Sequence, residues 1–209
     1  MKKMINVVGI GPGSEDYMIP AAVRTIKDSD IIVGGRRNIQ EVDTEGKETF
    51  VITSKLSDAV DYIRKNMRDK VISVVVSGDT GFYSMLSYLS KHFDRESINV
   101  VPGVSSMQYM FARIGDTWHD AYISSLHARE DDIIEPLRKR GKVGLLTDKK
   151  WNPSSIAIHL CENGMGDATI YIGENLSYEN ERITVKKASD IDPHSEYEMC
   201  VVVIRYENQ

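Results

Sequence analysis

A chain of 209 residues, 41% hydrophobic and 27% charged, has the length and apolar content for one large or two small globular domains, which argues against disorder and fibrous repeats. Its 26 basic residues stand against 31 acidic ones, a formal charge of −5, so composition offers no broad basic surface to a nucleic-acid backbone. The only two cysteines, Cys161 and Cys200, form no CxxC pair and join no His/Cys cluster, which argues against a disulfide framework and a metal site.

The N-terminal Met1-Lys2-Lys3-Met4 has the charge of a signal-peptide start, but the apolar run 5–10 is broken at once by Gly9, Gly11, Pro12 and Gly13. No apolar stretch approaches the roughly 20 residues of a membrane helix. A cytoplasmic protein with neither a membrane nor a nucleic-acid partner is therefore expected.

The first half repeats one unit: a short β-branched run, a glycine-rich break, then helical periodicity, the pattern of a parallel sheet. Residues 5–10 form the first predicted strand. Ser14 is placed to cap a helix with Glu15 and Asp16 in its first turn and Ile19, Ala22, Val23 and Ile26 as its apolar stripe. A strand over 31–33 ends at Gly34-Gly35. Leu56, Ala59, Val60, Ile63 and Met67 then recur at helical spacing before the strand 71–76.

Another helix is predicted through Met85, Leu86 and Leu89, followed by a strand over 98–101 and a helix that starts at Ser105 or Ser106 and ends near Gly115. Beyond Trp118 the predicted strands are 143–147, 168–173, 182–186 and 199–206, with one helix at 154–163. Consecutive strands without helices imply a mixed sheet. The expected fold is thus α/β with two domains, residues 1–115 around a mostly parallel sheet and 120–209 around a mixed one, with a cleft between them.

Three breaks fall just past predicted strands: Gly9-Ile10-Gly11-Pro12-Gly13, Ser77-Gly78-Asp79-Thr80-Gly81 and Pro102-Gly103-Val104-Ser105-Ser106. Ligands of parallel sheets collect at that edge, and glycine admits both positive φ and close approach of a ligand. Each loop by itself is better explained as plain turn chemistry; it is their coincidence that points to a binding wall. A dinucleotide fingerprint is disfavoured because Ser14 stands where GxGxxG needs its third glycine and because the strand 31–33 ends in Gly34-Gly35 where that motif needs an acidic residue. No GK[ST] follows any loop, which removes phosphate-loop chemistry.

In order and spacing these three loops resemble the tetrapyrrole methylases. Within that family Ser124-Ser-Leu-His-Ala-Arg129, after Trp118-His-Asp-Ala121, is similar to the branch that methylates C5 of a corrinoid precursor, cobalt-precorrin-7 (precorrin-6Y), in cobalamin synthesis. Thr80 stands where the family usually has proline, and Ala128 where the branch usually has glycine. The resemblance implies S-adenosylmethionine as methyl donor, a corrinoid substrate, a homodimer, and a separate protein for any C15 methylation and decarboxylation. It assigns cofactor contacts to Pro12, Gly78, Asp79, Phe82, Ser105, Ser106 and Thr147, to which Tyr171 is added as a candidate facing the adenine.

Gly11, Gly13 and Arg129 are the candidates on the substrate side, since a guanidinium suits a propionate or acetate arm. His127 is the candidate for moving a proton or orienting a substrate carboxylate. Arg36-Arg37 and Lys149-Lys150 are further cations past predicted strands. Structural alternatives stay open: Asp79 as a turn cap, Ser105 and Ser106 as helix caps, Tyr171 as core, His127 as structural and the paired cations as merely solvated. Two other functions also stay open, a tetrapyrrole methylase acting at another ring carbon and a non-catalytic S-adenosylmethionine-binding scaffold.

Overall fold

The computed structural model describes residues 4–126 and 131–207, and among them the chain divides into two compact units, one ending at Ser105 and the next beginning at Ser106. The first unit alternates strands and helices: β1 (Ile5–Gly9), α1 (Pro20–Lys27), β2 (Ile31–Gly34), α2 (Arg36–Gln40), β3 (Glu48–Val51), α3 (Leu56–Asn66), β4 (Ile72–Val76), α4 (Leu86–Leu89) and β5 (Ile98–Val101). The strands form one five-stranded sheet in the order β3-β2-β4-β1-β5, and every neighbouring pair is parallel.

Strands covered on both faces are apolar at most positions, and β1, β2 and β4 are, the polar Asn6 and Ser73 being hydrogen-bonded to Asn99 and Ser29. The pleat sends Ile5 and Val7 into a core with Ala59, Val60 and Ile63 of α3, and Val8 and Ile10 into a second core with Ala22 and Ile26 of α1. Register in the central strands is direct, with Val7 opposite Val74 on one side and Val100 on the other. The carboxyl ends of β4, β1 and β5 consequently lie side by side.

The second unit contains α5 (Ser106–Arg113), β6 (Tyr122–Ser125), α6 (Ile134–Arg140), β7 (Lys142–Leu146), α7 (Pro153–Glu162), β8 (Thr169–Glu174), β9 (Arg182–Lys187) and β10 (Cys200–Arg205). Its sheet runs β6-β7-β10-β8-β9, with β6 and β7 parallel and the remaining pairs antiparallel, the mixed arrangement expected from the spacing of strands. Leu145, Ile170, Ile172 and Val202 face a core shared with Leu137 of α6 and Ile156 and Leu160 of α7.

The other face carries α5. A Cβ on Gly144 would meet Met107 Sδ at 2.6 Å, and one on Gly173 would meet Met110 Sδ at 2.5 Å, so these strand glycines let the helix lie close to the sheet. The sequence placed its boundary at the loss of periodicity around residues 115–120. The division of contacts comes earlier because α5 sides with β7 and β8 through these sulfur contacts.

Several local expectations differ from the structure. Ser14 caps a 3₁₀ turn over Glu15–Tyr17 by accepting from the Asp16 N–H at 3.2 Å, and the helix proper begins separately at Pro20, whose ring suits the first helical position. Val23, assigned to the apolar stripe, is about half exposed, and only Ala22 and Ile26 are buried. No helix among the described residues is long and apolar enough to cross a membrane.

Candidate functional site

The three glycine breaks meet. After β1 the chain continues beside β4 with Ile10 N–H donating to the Val76 carbonyl at 3.0 Å. Gly11 and Gly78 then form a two-bond antiparallel bridge, Gly78 N–H to Gly11 O at 2.7 Å and Gly11 N–H to Gly78 O at 3.3 Å. Both residues have positive φ, +84° and +67°, a conformation that glycine adopts without penalty. The third loop closes on the same point. A Cβ on Gly103 would stand 2.2 Å from the Gly78 carbonyl oxygen, and one on Gly9 would stand 2.7 Å from both that oxygen and the Gly103 nitrogen.

Asp79 joins the loops through its side chain. Its Oδ1 accepts from the Gly81 N–H at 2.8 Å and its Oδ2 accepts from the Gly103 N–H at 3.0 Å. The first bond is the turn cap that the sequence left open; the second is a tie between loops 24 residues apart. Thr80, at the position where proline was noted as usual, is buried, and its carbonyl accepts from Ser84 Oγ. Phe82 is half-buried and lies edge-on to Tyr83, with ring centroids 4.8 Å apart. Tyr83 is exposed and holds φ at +49°, a costly conformation for a bulky residue.

Of the candidate residues, Gly11, Pro12, Gly13, Gly78, Asp79 and Phe82 therefore belong to the interlocked loops, and Ser105, buried, ends the third of them. Pro12 is buried and Gly13 half-buried. Ser106 is the first residue of α5 and belongs to the second unit. His127 and Arg129 lie outside the described residues.

Thr147 and Tyr171 belong to the second sheet. Thr147 Oγ1 donates to the Cys200 carbonyl at 2.7 Å and lies 3.1 Å from Cys200 Sγ, at the end of the row that pairs Cys200 with Glu174. Tyr171 pairs with Val203 of β10 and Val185 of β9, three positions along. An odd offset along a pleated strand reverses the face, so the side chains of Thr147 and Tyr171 point to opposite sides of this sheet. The sheet itself does not bring them together.

Sequence reasoning missed the groups that brace the loops from behind. Ser77, just before Gly78, receives a hydrogen bond from Arg37 Nη2 at 2.8 Å and donates to Asn38 Oδ1 at 2.9 Å. No spacing rule announces a contact over 40 residues; only the adjacency of β2 and β4 creates it.

A parallel sheet whose neighbouring strand ends carry interlocked, glycine-lined loops defines an α/β protein built to hold a small ligand at that edge. Its family follows from comparison: residues 4–192 match the model of the Tetrapyrrole (Corrin/Porphyrin) Methylases, and the chain belongs to that family. It is similar to the cobalt-precorrin-7 C(5)-methyltransferase of Salmonella typhimurium, with 36% identity over 96% of this chain and 98% of the relative.

Among solved structures it shares its fold with the precorrin-6Y methylase of Archaeoglobus fulgidus, with a TM-score of 0.78 and 22% identity over 98% of this chain and 99% of that one. It also shares it with the uroporphyrin-III C-methyltransferase of Thermus thermophilus complexed with S-adenosylhomocysteine, with a TM-score of 0.75 and 17% identity over 97% of each chain. As a member of the family this chain is an S-adenosylmethionine-dependent C-methyltransferase.

Proposed function

We propose that the chain transfers a methyl group from S-adenosylmethionine to C5 of the corrinoid precursor cobalt-precorrin-7, and that the interlocked loops of the first unit hold the donor. The observation that carries the site is the meeting of Gly9, Gly78 and Gly103, three residues from separate parts of the chain, at one point of the sheet edge. The substrate assignment is supported by 36% identity to a cobalt-precorrin-7 C(5)-methyltransferase along almost the whole chain.

The residues at this edge fit the donor. The half-buried Gly13 and the exposed Gly81 leave loop backbone accessible to its polar arms, and a half-buried Phe82 offers an apolar surface. S-adenosylmethionine supplies a methyl group already activated on a sulfonium. What remains to the protein is alignment of a carbon nucleophile and exclusion of water, which needs no covalent nucleophile.

In this reading Pro12, Gly78, Phe82 and Ser105 contact the donor. Asp79 fixes the loops with two lone-pair directions and keeps further acceptor capacity on both oxygens. Gly11 and Gly13 line the substrate side. Arg129 is assigned to a substrate carboxylate and His127 to a proton or a second carboxylate. In the cell the enzyme is assigned to the cytoplasm, as a homodimer.

Purified protein incubated with methyl-labelled S-adenosylmethionine and cobalt-precorrin-7 is expected to give a product one methyl heavier, labelled at C5. Label at another ring carbon overturns the regiochemistry and leaves the methylase assignment. Binding of S-adenosylmethionine without turnover on any tetrapyrrole overturns catalysis in favour of a binding scaffold. A sedimentation mass of twice the chain is expected for the dimer, and a monomer at micromolar concentration overturns it.

A further inference from the structure

The inner side of the Ser77–Gly81 loop is fixed by the other glycine loops; its outer side is fixed by the turn that follows β2. That turn has no slack. A Cβ on Gly34 would lie 2.7 Å from Val75 Cγ2, so β2 ends pressed against β4, and α2 begins two residues later. Asn38, on α2, donates through Nδ2 to the Val75 carbonyl at 3.4 Å and accepts the Ser77 hydroxyl at 2.9 Å.

Arg37 completes the arrangement, with Nη2 donating to Ser77 Oγ at 2.8 Å while Nε lies 3.5 Å from Glu41 Oε1 one helical turn on. The Ser77 hydroxyl thus has its proton committed to Asn38 and a lone pair committed to a cation, which leaves it one orientation. The next residue is Gly78, whose N–H and carbonyl both bridge to Gly11 and whose carbonyl lies against Gly9 and Gly103.

We propose that Arg37 is a positioning residue for the donor-binding loop, acting through Ser77 to hold Gly78 in the conformation that the three-loop junction requires. The proposal rests on the cofactor reading above. It gives Arg37 a role on the loop itself, since its guanidinium engages Ser77 and Glu41. The Arg37–Glu41 contact is a long one, with the Arg37 side chain half exposed, and is worth little by itself. The hydrogen bond to Ser77 differs because it is charge-assisted and because the hydroxyl it orders precedes a glycine at positive φ.

The test compares Arg37→Ala, Arg37→Lys, Ser77→Ala and the double variant Arg37→Ala/Ser77→Ala. Hydrogen exchange at the Gly78 amide is followed by NMR in the ligand-free protein, and S-adenosylhomocysteine affinity by calorimetry. The expected result is faster Gly78 exchange and about three- to tenfold weaker S-adenosylhomocysteine binding in each alanine single variant. The double variant is expected to be no worse than Ser77→Ala alone, because that change already deletes the Arg37–Ser77 bond together with the bond to Asn38. Arg37→Lys, which retains a donor, falls in between.

In steady state the loss is expected in the KM for S-adenosylmethionine rather than in kcat. Unchanged Gly78 exchange, additive losses in the double variant, or a lower thermal midpoint with unaltered affinity each overturn the proposal. Faster exchange in the variants together with no S-adenosylhomocysteine binding by the wild-type chain overturns the cofactor reading, and the positioning role with it, while the Arg37–Ser77 tie stands.

Discussion

Asp79 Oδ2 accepts the backbone N–H of Gly103 at 3.0 Å, and so one carboxylate spans the loops that follow β4 and β5. Its other oxygen is committed to Gly81. Removing this carboxylate leaves two N–H groups without their acceptor at the point where three backbones are already in contact. Asp79→Ala is therefore expected to weaken S-adenosylhomocysteine binding by about 1–3 kcal/mol, roughly five- to 150-fold. Asp79→Asn keeps one acceptor oxygen but turns an NH₂ toward a donor, so a loss of comparable size is expected. Calorimetry on both variants checks this; undiminished affinity would confine Asp79 to holding its turn.

Gly103→Ala tests the junction sterically. A methyl group 2.2 Å from the Gly78 carbonyl and 2.9 Å from the Gly9 carbonyl carbon has only backbone to push against, so the loops must separate. Overpacking of this kind costs about 1–3 kcal/mol, or a thermal midpoint lower by roughly 2–12 °C in a chain of this size. Donor binding should fall with it. Gly46→Ala is the contrasting control: φ is +68° and nothing lies within 4 Å of the added methyl, so only backbone strain of about 1 kcal/mol is expected. Equal losses at the two positions would show that the loop contact at Gly103 resists an added methyl no more than backbone strain does at Gly46.

What was legible in the sequence follows from what each feature must satisfy by itself. The strands β1 and β4 are buried on both faces and so read as apolar runs broken only by Asn6 and Ser73, and the glycine loops show because backbone cannot approach backbone past a Cβ. Strand β3 was not legible: it is a sheet edge with Glu48, Thr49 and Val51 exposed, so its pattern carries no burial signal. Strand β6 hides for the opposite reason, since Ser124 and Ser125 are buried with hydroxyl partners; Ser124 Oγ donates to Asp131 at 2.5 Å. The site was legible as motifs but not as a network, because the bonds of Asp79 to Gly103 and of Arg37 to Ser77 exist only once the strand order is known.

Lys142 is a buried cation that opens β7, one residue before the strand expected from the sequence. Its Nζ lies 3.0 Å from Asp116 Oδ1, 3.0 and 3.1 Å from the Asp120 oxygens and 2.9 Å from the Thr117 carbonyl, so it straps the segment after α5 to the start of β7. Burial pulls its pKa down, but the hydrogen bonds and charges of Asp116 and Asp120 together hold it above the ordinary lysine value. The hydrogen bond from Lys142 holds Asp120 below the ordinary carboxylate value.

A raised lysine contributes stability below its free pKa and loses it as pH climbs through the folded value. A depressed aspartate contributes above its free pKa and loses it on acidification. The strap is at full strength between about pH 5 and 9. Lys142→Met is expected to cost about 1–3 kcal/mol at pH 7, less than a fully buried pair because Asp120 is half exposed and Arg205 still faces Asp116 at 3.4 Å. The gap to wild type should narrow below about pH 4 as Asp120 protonates. Urea midpoints from pH 7 to pH 3 measure it, and a constant gap would show that Lys142 acts by packing alone.

The two cysteines should separate cleanly in reactivity. Cys161 is exposed on α7. Cys200 opens β10, and burial pushes its thiol pKa up to about 11; the Thr147 hydroxyl lowers it and the nearby Glu174 carboxylate raises it again. That carboxylate is itself buried and ion-paired, with Arg182 Nη2 2.7 Å and Nε 2.9 Å from its Oε2, so its field is fixed in place. Since the thiolate is the nucleophile, Cys200 at pH 8 presents only about one reactive molecule in a thousand. Iodoacetamide at that pH is expected to modify Cys161 and spare Cys200, read residue by residue by peptide mass spectrometry. Thr147→Val removes the one interaction that favours the thiolate, so it should slow Cys200 further and leave Cys161 alone. Faster labelling of Cys200 in that variant would mean that Thr147 guards the sulfur by packing rather than by its hydrogen bond.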